Sequence, residues 1–155
     1  MNVIVGSDAS THLTESVLED LRQRGHQVNR VGPLAGTQAS WPQVARTVAE
    51  AVASGKADEG VLFCWTGTGV SLAANKVPDI RAALCADAET ARGARLWNRA
   101  NVLCLSLRGT SEAMASEILE VWFATAYRPN PEDDACLDEV RRLENDYRTT
   151  GPRTK

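Results

Sequence analysis

A chain of 155 residues, 43% hydrophobic and 24% charged, fits one globular domain that buries about two thirds of the surface its unfolded form exposes. Its net charge of −3 and pI near 5.4 leave no broad basic field, which excludes nucleic acid and anionic membrane surfaces as main partners and favours small molecules or proteins. Cys64, Cys85, Cys104 and Cys136 stand far apart with no C-x-x-C pair, "MNVIVGSD" carries no targeting features and no apolar stretch reaches membrane-spanning length, so the expectation is a cytoplasmic protein with reduced thiols, no metal and no other cofactor.

Val3-Ile4-Val5 is a short β-branched run closed by Gly6-Ser7-Asp8, and Ser10 or Thr11 caps a helix whose apolar face carries Leu13, Val17, Leu18 and Leu21 before Gly25 ends it. Val28 to Val31 reads as a second strand. The loop "GPLAGTQASW" follows, and Pro42 suits the first turn of a helix with Val44, Val48, Ala51 and Val52 at helical spacing. Gly60 to Phe63, Ile80 to Cys85 and Val102 to Leu107 are near-continuously apolar, as strands covered on both faces should be. Residues 111 to 126 predict a long amphipathic helix, and Pro131 to Tyr147 a charged one. Residues 1–148 are therefore taken as a single domain and 149–155 as a loose tail. The alternation implies an α/β fold, a Rossmann-like three-layer α/β/α sandwich with a five-stranded parallel sheet.

Ligands of such sheets bind beyond the carboxyl ends of the strands. Those ends carry Asp8, Cys64 with its loop, Cys85 to Asp87, and Ser106 to Arg108. The loop Trp65 to Gly69 offers successive backbone N–H groups before a helix, which favours an anion or a developing oxyanion, although a tight strand-to-helix turn with no ligand looks the same. Cys64 at its mouth reads either as a proton abstractor or nucleophile, or as a small buried residue; Cys85 and Cys104 are left to the second reading. Asp8 is a general base, a hydroxyl acceptor or a helix cap. Trp97, Asn98 and Arg99 stand at the entry of the last strand, where Asn98 can donate to a carbonyl oxygen and Arg99 can pair with an anion, or where all three make a packed corner. His12 reads as a solvated or capping residue and His26 as a surface residue.

"GVLFCWTGTGVSLAANK", residues 60 to 76, resembles the active-site segment of the ribose-5-phosphate isomerase B and galactose-6-phosphate isomerase family, in which a cysteine precedes a G-T-G-x-G-x-S-x-A-A-N-K stretch. "VIVGSD", "SWPQVA", "IRAALCAD", "NRANVLCLSLR" and "VWFATAY" extend the likeness over nearly the whole chain. The resemblance implies metal-independent interconversion of an aldose phosphate and a ketose phosphate through an enediolate. Position by position it implies Cys64 as the base and Thr66 in ring opening or on a sugar oxygen. It implies the N–H groups of Gly67, Thr68 and Gly69 with Asn98 on the enediolate oxygens, Asp8 on a sugar hydroxyl and Arg108 on the phosphate. It also implies a homodimer or a dimer of dimers, with the last helix reaching toward a partner subunit.

Departures from that pattern are as informative. Ala9 and Trp97 stand where the family has histidines, Trp65 replaces the glycine after the cysteine, and Trp41 stands where tyrosine is common. "PNPEDDACLDEV" is acidic where the family contributes phosphate-binding arginines. The resemblance together with these changes implies a divergent isomerase whose substrate differs from ribose 5-phosphate, with Trp65 and Trp97 narrowing the pocket. Arg92, Arg95 and Arg99 offer anion contacts by another route, or form a solvated helix face. Two alternatives remain open: a non-catalytic binding or partner subunit of the same fold, and a recruited epimerase or dehydratase.

Overall fold

The computed structural model describes residues 1–149 and contains five strands and six α-helices, alternating up to a final pair of helices. In chain order they are β1 (Asn2–Ser7), α1 (His12–Gln23), β2 (Gln27–Val31), α2 (Trp41–Ala53), β3 (Glu59–Cys64), α3 (Thr68–Ala74), β4 (Ala82–Leu84), α4 (Ala88–Asn98), β5 (Val102–Ser106), α5 (Glu112–Ala124) and α6 (Pro131–Thr149). All pairings are parallel and the strand order is β2-β1-β3-β5-β4, so β3 is the middle strand and β4 an edge. The expected sandwich with a five-stranded parallel sheet is what forms. Thr149 closes α6, and the rest of the tail expected from residue 149 lies outside the described residues.

Two apolar layers hold the helices on the sheet. On one face α1, α4 and α5 cover Val3, Val5, Val61, Phe63, Leu103 and Leu105, with Trp122 fully buried among them. On the other, α2 and α3 cover Ile4, Leu62, Cys64, Val102 and Cys104. Alternate residues of each inner strand thus face opposite layers, which is why these strands read as unbroken apolar runs. The first helix is capped by Thr11, whose Oγ1 accepts from the Thr14 N–H at 3.3 Å. Asp8 is thereby left at the strand end rather than used as a cap.

The fourth strand is shorter than the apolar run from Ile80 to Cys85 predicts. As an edge strand it has one ladder partner, and side chains take its entry: the Arg81 N–H donates to Asn101 Oδ1 and the Ala82 N–H to Asn75 Oδ1, both at 2.8 Å. His26 also departs from expectation. Its ring lies 4.2 Å from that of Phe123, and burial lowers its pKa.

At the amino end of the sheet, Glu59 opens β3 as a buried carboxylate facing Arg95 of α4 at 2.6 Å and accepting from the Trp122 indole N–H of α5. Arg95 also donates to the carbonyls of Thr125 (3.2 Å) and Ala100 (2.5 Å), and its guanidinium lies 5.0 Å from the Trp122 ring centroid. Burial pushes the Glu59 carboxyl up, against the opposing pull of Arg95 and Trp122. Neither sequence reading of Arg95, anion contact or solvated face, describes this internal pair. Removing one member of such a pair strands the other, so Arg95→Met should cost about 3 kcal/mol in urea denaturation. The double variant Glu59→Gln/Arg95→Met should be less destabilised than Arg95→Met alone, because no unpaired carboxylate is then buried and the amide oxygen still accepts from Trp122.

Candidate active site

Cys64 ends the middle strand, with Ser106 of β5 paired beside it and the end of β1, leading to Asp8, on the other flank. The cysteine is 5% exposed, and Asp8 is half-buried. Three strand ends therefore converge where a parallel sheet binds its ligands.

The turn after Cys64 is held by hydrogen bonds on both sides of its backbone. The Cys64 carbonyl accepts from the Gly67 N–H at 3.2 Å and from the Leu107 N–H at 3.0 Å, and the Trp65 carbonyl accepts from the Arg108 N–H at 3.0 Å and from Ser106 Oγ at 3.0 Å. Gly67 has φ of 74°, in the left-handed region. A Cβ there would stand 2.5 Å from Leu84 Cδ1 and 3.0 Å from the Leu105 carbonyl carbon. The turn lies directly against β5, and only glycine permits both the dihedral and the approach.

Of the donors expected at Gly67, Thr68 and Gly69, the first is consumed inside the turn. Thr68 and Gly69 open α3 ahead of its first bond, from the Ser71 N–H to the Gly67 carbonyl at 3.2 Å, so their N–H groups have no acceptor within the helix. The Thr66 and Thr68 hydroxyls share a 2.7 Å hydrogen bond beside them. Trp41, which the sequence singles out only as a departure, packs its ring over this helix start: a Cβ on Gly69 would lie 3.1 Å from it. Trp65 projects outward, 65% exposed, and Arg108 is also exposed.

Trp97 and Asn98 are placed elsewhere. Helix α4 leaves the carboxyl end of β4 and runs back over eleven residues, about 16 Å, to the amino ends of the strands. Asn98 lines a cleft of about 420 Å³ with Asn75, Ile80, Ala82 and Ala100, while Trp97 lies over Gly93 in a neighbouring cleft along β4 with Leu84. Within one chain Trp97 lines a different cleft from the Cys64 turn, and Asn98 is not gathered with Cys64.

Burial pushes the Cys85 thiol up to about 12 and raises Cys104 as well, while Cys136 is exposed on α6. Sequence reasoning placed Ser106 at a strand end without assigning its hydroxyl a role, and it missed Glu59. A single polar residue ending one apolar run, and a single charged residue opening another, were the available signals.

A buried cysteine at the end of a central parallel strand stands here beside a glycine turn whose N–H groups face an anion or a developing oxyanion favourably. The chain matches the family model described as Ribose/Galactose Isomerase over residues 3–139. It is 38% identical over 131 residues to the galactose-6-phosphate isomerase subunit LacB of Clostridium acetobutylicum, covering 84% of this chain and 76% of that one. It is 36% identical to the D-erythrulose-4-phosphate isomerase of Pectobacterium atrosepticum, covering 79% and 82%. Among solved structures, ribose-5-phosphate isomerase B of Clostridium thermocellum superposes with a TM-score of 0.89 at 34% identity, covering 95% of this chain and 99% of that one. The chain belongs to the ribose/galactose isomerase family and is an enzyme of the aldose–ketose isomerase class.

Gly67→Ala tests the turn. Forcing a Cβ into a left-handed residue against the Leu105 backbone should cost about 2–3 kcal/mol, read as a lower urea midpoint, whereas an alanine at the exposed Gly36, which also has positive φ but open space, should cost less.

Proposed function

We propose that the protein interconverts the aldose and ketose forms of a sugar phosphate, with Cys64 as the base. The thiolate takes the proton from the carbon next to the carbonyl and electrons move onto oxygen to give an enediolate; the hydroxyl proton passes between the two oxygens, and the thiol, its proton partly exchanged with solvent, protonates the adjacent carbon. The N–H groups of Thr68 and Gly69 donate to the developing oxyanion, Thr66 binds a sugar oxygen or assists ring opening, Asp8 holds a hydroxyl and Arg108 the anionic group. The observation that carries this reading is the burial of Cys64 at the junction of three strand ends, next to donors whose geometry Gly67 fixes. The four free thiols are in keeping with work in the cytoplasm.

The substrate differs from ribose 5-phosphate. Ala9 and Trp97 supply no imidazole to open a furanose ring, and Arg108 alone matches a phosphate-binding arginine by position. Trp65 favours a ligand with an apolar or planar face.

Asn98 and Trp97 act in this reading from a second copy of the chain in a homodimer, because their helix carries them away from their own Cys64. Exposed Leu72, Leu84 and Trp97, with the open edge of β4, offer apolar surface for that contact.

A panel of sugar phosphates incubated in deuterated water checks the reaction. Solvent deuterium should enter the substrate carbon with wild type, and Cys64→Ala should abolish this by several orders of magnitude with the fold intact. Tight binding without exchange would instead identify a non-catalytic binding subunit. Turnover of ribose 5-phosphate should fall well below the order of 10 per second typical of enzymes; a rate at or above that would overturn the substrate reading. For the shared site, Cys64→Ala and Asn98→Ala proteins, each weak alone, should regain up to about a quarter of wild-type activity when subunits are exchanged. Failure to regain activity would reject the shared site, and a monomer by light scattering would reject the homodimer.

A further inference from the structure

Two segments that the reaction needs in fixed relation approach each other at one side chain. The Cys64 turn carries the base and the N–H donors, and the segment after β5 carries Arg108. Ser106 lies between them: its Oγ donates to the Trp65 carbonyl at 3.0 Å and accepts from the Gly109 N–H at 3.0 Å. One hydroxyl thus uses its single proton toward the first segment and a lone pair toward the second. Around it, the Leu107 and Arg108 N–H groups donate to the Cys64 and Trp65 carbonyls, each at 3.0 Å, and the Thr110 N–H donates to the Ser106 carbonyl at 3.1 Å.

We infer that Ser106 is a positioning residue, resting on the isomerase reading above: its hydroxyl locks the Cys64 turn and the Arg108 segment into one unit, so that base and anion-binding group keep a fixed separation. The backbone bonds tie Leu107 and Arg108 to the turn, but nothing among them fixes the Gly109 N–H. That N–H sits immediately after Arg108, and it donates to the Ser106 hydroxyl. Losing the hydroxyl removes the second acceptor bond of the Trp65 carbonyl and releases Gly109 at the same stroke. The Trp65–Thr66 peptide and the backbone flanking Arg108 then relax independently. Substrate still meets Arg108 and Asp8, so the loss falls mainly on the step in which Cys64 must face the reacting carbon.

The test compares Ser106→Ala and Ser106→Thr with wild type, using amide hydrogen exchange at Gly67 and Gly109. It also measures kcat and KM on whichever of ribose 5-phosphate, galactose 6-phosphate or D-erythrulose 4-phosphate the wild type turns over. Ser106→Ala should speed exchange at both amides together and lower kcat about ten- to a hundredfold, the scale of a small misplacement of reacting groups, with KM within about threefold. Ser106→Thr, which keeps the hydroxyl, should restore both readouts, and this separates positioning from loss of stability. Unchanged exchange at Gly67 in Ser106→Ala would overturn the coupling. Faster exchange with kcat unchanged, or a loss in KM alone, would overturn the positioning role. If wild type turns over none of the three, the isomerase reading is what suffers, and the exchange comparison still decides whether Ser106 joins the two segments.

Discussion

The approach of the Cys64 turn to β5 is the constraint on which the rest of this site depends. A residue with a side chain at position 67 would need both a disfavoured dihedral and room that the Leu105 carbonyl already occupies. Glycine accepts both. The chain then doubles back so tightly that the Gly67 N–H reaches the Cys64 carbonyl and the carbonyls of Cys64 and Trp65 reach the N–H groups that follow β5. Strand pairing between β3 and β5 is in effect prolonged past the last regular pair, Cys64 with Ser106. A thiol at that point inherits the rigidity of the sheet, while the residues just beyond it begin a helix whose first N–H groups lack intrahelical acceptors.

The opposite end of the same strand is fixed by different means. Glu59, Arg95 and Trp122 join β3 to α4 and α5 through an ion pair, an indole donor and two backbone carbonyls. Burying two charges carries a desolvation cost that apolar side chains would avoid, so the gain of this cluster lies less in net stability than in definition. A guanidinium with four partners admits one placement of α4 against the entry of β5. The sheet is thus pinned at its amino end by charge and at its carboxyl end by backbone geometry, and the apolar layers between them require neither.

The fold was legible because buried parallel strands leave unbroken apolar runs, and Val61 to Phe63 and Val102 to Leu105 are such runs. The edge strand was legible only in part: apolarity continues from Ile80 to Cys85, but Asn75 and Asn101, distant in sequence from one another, take over the entry hydrogen bonds. Cys64 and its turn were visible as a motif. The position of Asn98 was misleading, since its nearness to β5 in sequence says only that it precedes the strand. A crossover helix that starts at the carboxyl edge of a parallel sheet must finish at the amino edge, and that rule alone separates Asn98 from its own Cys64. The partners of Ser106 and Glu59 were silent, because a hydrogen bond across 41 residues or an indole donor 63 residues away leaves no local pattern.

The departures from the family pattern fall where this architecture is least restrictive. Backbone groups and one serine hydroxyl hold the turn, so the side chains at Trp65 and Thr66 project from it without being needed to form it. Ala9 follows the end of β1 at a bend already closed by Ser7, whose Oγ bonds both the carbonyl and the N–H of that residue, at 2.6 and 3.2 Å. Trp97 rests on Gly93 at the surface of α4, outside both apolar layers. Each of these positions can exchange a small or imidazole side chain for another without disturbing a strand, a cap or the core. Cys64 and the turn after it are bound into the sheet, whereas Trp65, Ala9 and Trp97 are mounted on its rim, so substitution at the rim leaves the geometry around the thiol in place.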